Sequence, residues 1–235
     1  MPTDFMGRVM VVFQRYGMSM LQGAGVSIRI ALVGTIVGCI IGFAVGIVQT
    51  IPVEAKDNPI KKAVLWVIKL IMNAYVEFFR GTPMMVQAMF IYYGSAYLFN
   101  INMSMWFAAF FVVSINTGAY MAETVRGGIL SVDEGQTEAA RSLGMSASHC
   151  MTKIILPQAV KAILPSLAGE YISMIKETSL AGTFMMYELM YTRVLLANKF
   201  LTWQPLFIIS GMYLVMTTVL TWLSGLLEKR LAESD

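Results

Sequence analysis

Three long stretches without a charged residue restrict this chain to one class of fold. Residues 30–51, 81–122 and 200–227 contain no Asp, Glu, Lys or Arg. About 20 apolar residues suffice for a helix to cross the hydrocarbon core of a bilayer, and only helices and closed barrels can span it. The stretches are continuously apolar rather than alternating, so they predict spanning helices. Charged residues make up only 13% of the sequence, against about 25% in soluble domains. We therefore predict an all-α integral membrane protein.

Five transmembrane helices account for the hydropathy pattern. The first runs from about residue 25 to residue 51, and one of its faces carries a glycine every four residues: Gly34, Gly38, Gly42 and Gly46. Small residues let backbones approach closely, so this face is predicted to pack against another helix, of this chain or of a second one. The other four spans are predicted at about residues 62–99, 104–121, 159–182 and 203–227.

These spans divide the chain into three regions. Residues 1–22 are predicted to form an N-terminal interfacial segment, residues 23–230 the transmembrane domain and residues 231–235 a C-terminal tail. Residues 183–204 mix apolar and charged positions. They predict a helix that lies at the outer surface or is partly re-entrant.

The second span is predicted to contain a break. It is too long for one straight crossing, and Gly81 and Pro83 lie in its middle, where a proline must kink or break a helix. Glu77 and Arg80 stand three residues apart just before the break and are predicted to pair on one face. The pair is either structural or part of a gate. Residues 100–102 mark the turn into the third span.

One polar stretch, residues 131–157, lies between apolar segments and carries helical signals. Ser131 and Glu134 fit a capping box at the start of a helix, and Gly144 offers a left-handed stop. A second short segment leads to Pro157. The stretch predicts a helix-turn-helix on the membrane surface that contacts a partner in the water. The alternative is an interfacial amphipathic helix without a partner.

Within this stretch, certain residues recur at fixed intervals: Glu138-Ala139-Ala140, three residues, Gly144, nine residues, Ile154, one residue and Leu156-Pro157. This spacing resembles the EAA loop of ABC importer permeases. Three further segments resemble the polar amino acid branch of this family: residues 75–83 (YVEFFRGTP), 114–123 (SINTGAYMAE) and 176–180 (KETSL). The resemblance covers about residues 20–230.

The resemblance implies a type I ABC importer permease fold with its N-terminus outside and its C-terminus in the cytosol. It implies a place in the bacterial cytoplasmic (inner) membrane and import of a polar amino acid. The expected partners are a second permease chain, identical or homologous, two ATP-binding subunits, and an extracellular or periplasmic substrate-binding protein. ATP and Mg²⁺ are expected on the ATP-binding subunits, and no cofactor is expected in this chain.

The distribution of Lys and Arg agrees with that orientation. With the C-terminus inside, nine lie on inner segments: Lys56, Lys61, Lys62, Arg126, Arg141, Lys153, Lys161, Lys229 and Arg230. Four lie on outer segments: Arg8, Arg15, Arg193 and Lys199. Cytoplasmic loops carry the excess of positive charge in membrane proteins, so the polar stretch is predicted to lie in the cytosol.

The resemblance also implies roles for residues of the polar stretch, the EAA coupling loop at 131–157. Its helix is expected to sit in a cleft of an ATP-binding subunit. There Glu138 would anchor the loop by hydrogen bonds, and Ala139 and Ala140 would permit close packing. Gly144 would make the turn, and Pro157 belongs to the same coupling motif.

Polar groups within the predicted spans are candidates for the substrate path, because such groups are costly at membrane depth unless they are paired or line a cavity. Glu170, Ser173 and Glu177 form one helical stripe. The remaining predicted path residues are Asn116, Thr117, Glu77 and Glu123, and those of the kink or gate are Arg80, Gly81 and Pro83. The alternative for the acidic stripe is burial in a subunit interface against basic partners.

The sequence contains no Gly-x-x-x-x-Gly-Lys-Ser/Thr phosphate loop, so the chain is not expected to hydrolyse ATP, and we predict no enzyme activity. No metal site is predicted either, and a net charge of +3 is too small to indicate a nucleic acid partner. We predict a permease that couples ATP hydrolysis on a partner to alternating access. The alternatives are a secondary transporter, which would require internal repeats, a membrane enzyme and a non-transporting scaffold.

Overall fold

The computed structural model describes residues 4–53, 57–200 and 203–232, without the side chains of 197–200 and 231–232. Every regular element in these ranges is helical, which confirms the all-α prediction. Lys56, the side chain of Lys199 and the predicted tail from residue 233 onward lie outside the described residues, as do residues 1–3 of the predicted interfacial segment.

Ten α-helices follow one another in the described ranges. They are α1 (Phe5–Thr50), α2 (Pro59–Gly81), α3 (Met84–Met89), α4 (Ser95–Phe99), α5 (Met105–Leu130), α6 (Glu134–Ser142), α7 (Ala147–Cys150), α8 (Leu156–Glu177), α9 (Leu189–Phe200) and α10 (Gln204–Ala232). Three other helical segments lie between them: π turns at Phe90–Gly94 and Met151–Ile155, and a 3-10 helix at Thr178–Phe184.

Helix α1 is longer than a membrane crossing requires. It has 46 residues, whereas about 20 cross the core of a bilayer. The sequence predicted a separate segment up to residue 22, and the structure has no break there. The first half of α1 stays helical because its apolar side is packed. Val12 and Met20 are buried in one cluster with Leu189 of α9 and Ile208 of α10.

The glycine face of α1 packs against α5 of the same chain, so the predicted close contact is confirmed and its partner is identified. The four facing pairs are Gly34–Val113, Gly38–Thr117, Gly42–Met121 and Gly46–Val125. A Cβ atom at Gly38 would lie 2.6 Å from Cβ of Thr117. Both helices repeat these contacts every four residues, so the row of side chains on α5 fits the groove of α1.

Two further buried apolar clusters connect the helices that carry the polar stretch and α8. The first joins α1, α5 and α8 through Ile30, Val112 and Ile175. The second lies beneath the polar stretch and includes Ala140 and Ile163. Burial of apolar surface is the main favourable term in packing these helices where water would otherwise reach them. The clusters place the polar stretch and α8 on one packed framework.

The second predicted span is broken where the sequence placed the break. Helix α2 ends at Gly81, and α3 begins after Pro83. A π turn and α4 continue the run to Phe99, and Asn100 ends it in the left-handed conformation with φ 55°. Proline removes a backbone donor and fixes φ, so a helix cannot continue undisturbed through this point. The break and the turn at residues 100–102 are confirmed.

The fourth predicted span corresponds to α8, which ends at Glu177 instead of residue 182. The chain continues as the 3-10 helix and then as α9. Leu189 and Leu196 of α9 are buried in a cluster with residues of α1 and α10, so α9 is part of the bundle. Its place relative to the membrane stays a prediction.

Three described helices are long and apolar enough to cross a membrane: α1, α5 and α10. The second and fourth predicted spans are the α2–α4 run and α8. Helix α2 has 23 residues and α8 has 22, which is sufficient length, but both carry charged side chains such as Lys69 and Glu170. The count of five spans therefore stays a prediction.

Candidate functional site

The polar stretch forms the predicted helix-turn-helix, with α6 and α7 on either side of a turn. The start of α6 differs from the prediction. Asp133 is the cap, and its side chain accepts a hydrogen bond from Gly135 N at 2.8 Å. Ser131 instead ends α5, and its Oγ donates to Gly128 O at 2.8 Å. The predicted capping box of Ser131 and Glu134 is therefore wrong.

Gly144 reverses the chain after α6. Its φ is +82°, which confirms the predicted left-handed stop. Met145 N donates to Ala140 O at 3.1 Å, and Gly144 N donates to Arg141 O at 3.0 Å. These are the two hydrogen bonds of a Schellman motif. A left-handed backbone is costly for residues with a Cβ atom, so glycine favours the sharp turn.

The two alanines of α6 face different surroundings. Ala139 is exposed, like Glu138 beside it, whereas Ala140 is 2% exposed. Ala140 belongs to a buried cluster with Cys150 and Ile155 of the same chain. Of the alanine pair predicted to pack against a partner, Ala140 therefore packs within this chain, and only Ala139 is accessible.

Leu143 is an exposed apolar residue that sequence analysis did not single out. Its side chain is 84% exposed, and it follows Ala139 by four residues, so the two share a helix face. It is the only large apolar residue between residues 134 and 143. A single large apolar residue in a polar segment could have indicated a contact site from the sequence. Glu138, Ala139 and Leu143 give α6 a surface with one carboxylate, one small residue and one large apolar residue.

One helical run connects the turn to the interior of the bundle. Helix α7, the second π turn and α8 follow one another without a gap from Ala147 to Glu177. Pro157 stands at the start of α8, next to the π turn. Proline has no N–H to donate to the preceding turn, and the wider π turn lies where that bond is missing. The run carries Glu170 and Ser173.

A cavity of about 440 Å³ lies between α3, α5 and α8. Four predicted path residues and one predicted gate residue are among those that line it: Asn116, Glu170, Ser173, Glu177 and Pro83. The three residues of α8 come together because positions i, i+3 and i+7 lie on one helix face. We call this space the central cavity.

The central cavity is acidic. Glu170 and Glu177 both line it, and Oε1 of Glu170 is buried without a hydrogen-bond partner among the described residues. A ligand with an ammonium group or several N–H donors would complement both the charge and the unpaired acceptor. In the part of the chain that the structure describes, no group of three His, Cys, Asp or Glu side chains could hold a metal ion.

Asn116 lines the central cavity and also holds the break between α2 and α3. Its Nδ2 donates to Gln87 Oε1 at 3.0 Å and to Phe79 O at 3.2 Å. Gln87 Nε2 donates to Phe79 O at 3.0 Å and to Thr82 O at 2.9 Å. A broken helix in a membrane leaves carbonyl groups that side chains must satisfy. Gln87 therefore supports the site. The sequence analysis did not identify Gln87, although a polar amide side chain within the uncharged stretch 81–122 could have indicated it.

Thr117 does not line the central cavity. It is fully buried, and it faces Gly38 across the contact between α1 and α5. Neighbouring residues of a helix point about 100° apart, so Asn116 can reach the cavity while Thr117 packs against α1. Gly81 is also not among the residues that line the central cavity.

The other predicted acidic residues lie in a second polar cavity, of about 410 Å³, which is lined by residues of α1, α2 and α5. Arg80 Nη1 lies 3.7 Å from Glu123 Oε2, and Arg126 also pairs with Glu123. The Arg80 guanidinium also lies 5.6 Å from the ring centroid of Tyr120, which directs it towards α5. Among the described residues Arg80 thus pairs with Glu123, and the predicted pairing with Glu77 is wrong.

Known proteins of one family are similar to this chain over most of its length. A family model described as "Binding-protein-dependent transport system inner membrane component" matches residues 63–233. The arginine transport system permease protein ArtQ of Bacillus subtilis is 30% identical over 218 residues, covering 92% of this chain and 93% of ArtQ. The octopine transport system permease protein OccM of Rhizobium radiobacter is 30% identical over 219 residues, covering 89% of this chain and 84% of OccM.

A solved structure has a similar fold. The crystal structure of an amino acid ABC transporter with histidines contains a chain that is 32% identical to this one. The two superpose with a TM-score of 0.83, and the match covers 98% of this chain and 100% of that chain. Sequence and fold therefore indicate the same group of proteins.

Proposed function

The chain belongs to the family of binding-protein-dependent transport system inner membrane components, and from this premise we propose that it forms the membrane pathway for a polar amino acid in an ABC importer. Its all-helical fold is that of a type I importer permease. The observation that carries the proposal is the continuous helical run from Ala147 to Glu177, which joins an exposed turn to a polar cavity.

The central cavity is the proposed place where substrate crosses. Glu170 and Glu177 would attract the ammonium group of an amino acid, and the Ser173 hydroxyl would donate or accept a hydrogen bond. Asn116 would accept a hydrogen bond at Oδ1, because both donors of its Nδ2 are already used. The unpaired Oε1 of Glu170 supports this role. A charge-assisted hydrogen bond is about twice as strong as a neutral one, so ammonium recognition would dominate binding here.

The second polar cavity is the proposed gate. Glu123 pairs with Arg80 of α2 and with Arg126 of α5, so this carboxylate links two helices. Pro83 follows Arg80 by three residues, across the break, and lines the central cavity. A change in the angle at the break would move both cavities together. Glu77 lines the gate and adds a second carboxylate.

The exposed face of α6 is the proposed contact with an ATP-binding subunit. Glu138 would accept or anchor hydrogen bonds from that subunit, Ala139 would allow close approach, and Leu143 would fill an apolar pocket. The residues that hold α6 to α8 are buried in this chain, including Ala140 and Ile155. A push on α6 would therefore pass through the turn at Gly144 into α8 and rock the bundle between two states.

The proposed topology has five spans, α1, α2–α4, α5, α8 and α10, with the N-terminus outside and the C-terminus in the cytosol. The positive charge of the inner segments supports it. The proposed assembly contains a second permease chain, two ATP-binding subunits that hold ATP and Mg²⁺, and an external substrate-binding protein. Residues 131–157 would be its coupling loop.

Uptake into proteoliposomes tests the proposal. The chain is reconstituted with its ATP-binding partner and ATP inside, and the binding protein with a panel of amino acids is added outside. We expect ATP-dependent uptake of one class of amino acid. Glu138→Lys is expected to abolish uptake, because it reverses the charge on the exposed face of α6. Glu228→Lys is the matched control at the end of α10, and it is expected to keep uptake.

Two outcomes separate the parts of the proposal. Uptake that follows an ion gradient without ATP would replace the importer with a secondary transporter. ATP-dependent uptake that survives Glu138→Lys would keep the importer and reject the contact through α6. Glu170→Gln probes the path independently: it is expected to abolish uptake while ATP hydrolysis continues.

A further inference from the structure

Arg29 stands at one end of a charge-free length of helix. From residue 30 to its end at Thr50, α1 contains no charged residue, and about 20 helical residues cross the hydrocarbon core. Helix α5 runs parallel to α1, because Gly34 faces Val113 and Gly46 faces Val125. The start of α5 is therefore level with Arg29. The length of the uncharged segment predicts that Arg29 lies at the boundary between hydrocarbon and headgroups.

The guanidinium of Arg29 is held in place and is not neutralised. Its Nε donates to Gly25 O at 3.2 Å, and the group lies 5.7 Å from the ring centroid of Trp106. Within the ranges that the structure describes, it forms no salt bridge with a carboxylate. Arginine has five N–H donors, so most of them remain available to an anion.

A cavity of about 560 Å³ lies beside this guanidinium. Its walls come from α1, from the start of α5 and from the segment after the 3-10 helix, and they include Arg29, Met105, Trp106, Met186 and Tyr187. Most of these side chains are apolar, and Arg29 is the only charged one among them. Trp and Tyr are enriched at membrane–water interfaces, which agrees with the depth assigned to Arg29.

An apolar stripe continues from Arg29 along the same face of α1. Leu32, Val33, Ile36 and Ile40 follow it by three, four, seven and eleven residues, and they are 47%, 39%, 54% and 67% exposed. Positions at these intervals lie one above another on a helix. The face therefore presents one cation at the boundary and apolar side chains along the depth of the membrane.

We propose that this face of α1 binds one anionic phospholipid of the phosphatidylglycerol type. Its phosphate accepts hydrogen bonds from Arg29 in the cavity, and an acyl chain lies along the stripe from Leu32 to Ile40. Guanidinium matches phosphate in a bidentate geometry. A lipid with an ammonium headgroup carries its own counter-charge, so a cation without an acidic partner favours a lipid with net negative charge. With the N-terminus outside, as in the proposed topology, this lipid lies in the outer leaflet.

Native mass spectrometry of the detergent-solubilised full-length chain tests this site. The chain is titrated with phosphatidylglycerol, with phosphatidylethanolamine and with inorganic phosphate. The wild-type chain is expected to bind phosphatidylglycerol more tightly than phosphatidylethanolamine. Arg29→Gln is expected to weaken phosphatidylglycerol binding by about tenfold or more, the loss expected for one charge-assisted contact.

Arg15→Gln is the matched control. Arg15 is also an exposed arginine of α1 beside an aromatic ring, 5.9 Å from the centroid of Tyr16, but it does not line the cavity. Its substitution is expected to leave lipid binding unchanged. Size-exclusion elution and helicity verify that both variants are folded, and the wild-type comparison of the two lipids needs no variant.

Four results would overturn the proposal. Equal losses in the two variants would indicate non-specific attraction of lipid by charge. Equal wild-type binding of the two lipids would remove the argument from net charge. Displacement of the lipid by millimolar inorganic phosphate would indicate a phosphate site without an acyl chain. Disulfide cross-linking of two copies through Ile36→Cys would show that protein covers this face.

Discussion

Glu188 is a buried carboxylate that joins three helices. Its oxygens accept hydrogen bonds from Met190 N at 2.7 Å and from Tyr191 N, both at the start of α9. The hydroxyls of Ser27 in α1 and Tyr213 in α10 donate to it at 3.4 and 3.3 Å. No cation pairs with it within the described ranges. Burial raises the pKa of the Glu188 carboxyl to about 7, although these hydrogen bonds favour its ionised form.

The raised pKa of Glu188 predicts that the protein loses stability as pH rises. An exposed glutamate has a pKa of about 4.3, so between that value and about 7 the folded chain binds more protons than the unfolded chain. The contribution of Glu188 to the free energy of unfolding is then fully present below the pKa of the unfolded chain, and it is lost as pH rises to the pKa of the folded chain. Thermal unfolding in detergent at pH 5.0, 6.0 and 7.5 measures the slope. Glu188→Gln is expected to flatten it.

Glu188→Ala separates the hydrogen bonds of Glu188 from its charge. The substitution leaves two half-buried N–H groups at the start of α9, those of Met190 and Tyr191, without their acceptors. A fully buried donor without an acceptor costs about 1–3 kcal/mol, and that value is the upper limit for each of these groups. The substitution is expected to lower the unfolding temperature more than Glu188→Gln at every pH. The control is Glu228→Gln, an exposed carboxylate that should keep the wild-type slope. A wild-type stability that rises from pH 5.0 to 7.5 would contradict this account.

The turn after α6 is expected to transmit force only while Gly144 keeps its left-handed conformation. Gly144→Val places a β-branched residue at φ +82°, which costs about 1–2 kcal/mol or more. We expect ATP-dependent uptake to be lost while the amount of chain in the membrane is retained. Gly144→Asn is the matched variant, because asparagine tolerates this conformation, and it is expected to keep most of the uptake. Equal uptake by the two variants would remove the turn from the coupling route.

The contact between α1 and α5 shows how far sequence patterns extend at the scale of elements. The close contact of the α1 glycine face could be predicted, because four small residues in register on one helix face indicate a close approach of two backbones. The partner helix could not be predicted, because the matching row on α5 consists of residues such as Val113 and Met121, which are common in any apolar helix. Thr117 belongs to that row, which is why it packs against α1 and does not line the central cavity.

Two local predictions failed because other partners competed for the same residues. Ser131 and Glu134 have the spacing of a capping box, but Ser131 is the C-cap of α5, and its hydroxyl donates to Gly128 O of that helix. Arg80 and Glu77 have the spacing of an ion pair, but α5 offers Arg80 both a carboxylate at Glu123 and an aromatic ring. The spacing of residues within one segment does not show which competing hydrogen-bond or ion-pair partners the rest of the fold provides.

The central cavity illustrates the same limit for the whole molecule. Asn116, Glu170 and Glu177 stood out in the sequence because polar groups in apolar spans require a reason. Their convergence on one cavity depends on the packing of α3, α5 and α8, which no local pattern encodes. Gln87 was missed because its role arises only once the helix is broken and carbonyl groups need donors.

The two ends of the bundle are predicted to face different compartments. Asn102, in the turn before α5, and Leu143, at the end of α6, are both exposed. The proposed topology puts the first outside and the second in the cytosol, because the positively charged segments lie on the side of α6. Asn102→Cys and Leu143→Cys are introduced singly after the free cysteines Cys39 and Cys150 are replaced by serine.

A membrane-impermeant maleimide then distinguishes the two positions. It is expected to label Asn102→Cys in intact spheroplasts and Leu143→Cys only in inverted membrane vesicles. The chain without cysteines is the control and should remain unlabelled in both. Labelling of Leu143→Cys in intact spheroplasts would invert the topology. It would then put α6 out of reach of any cytosolic ATP-binding subunit, so the coupling route through Gly144 and α8 depends on this orientation.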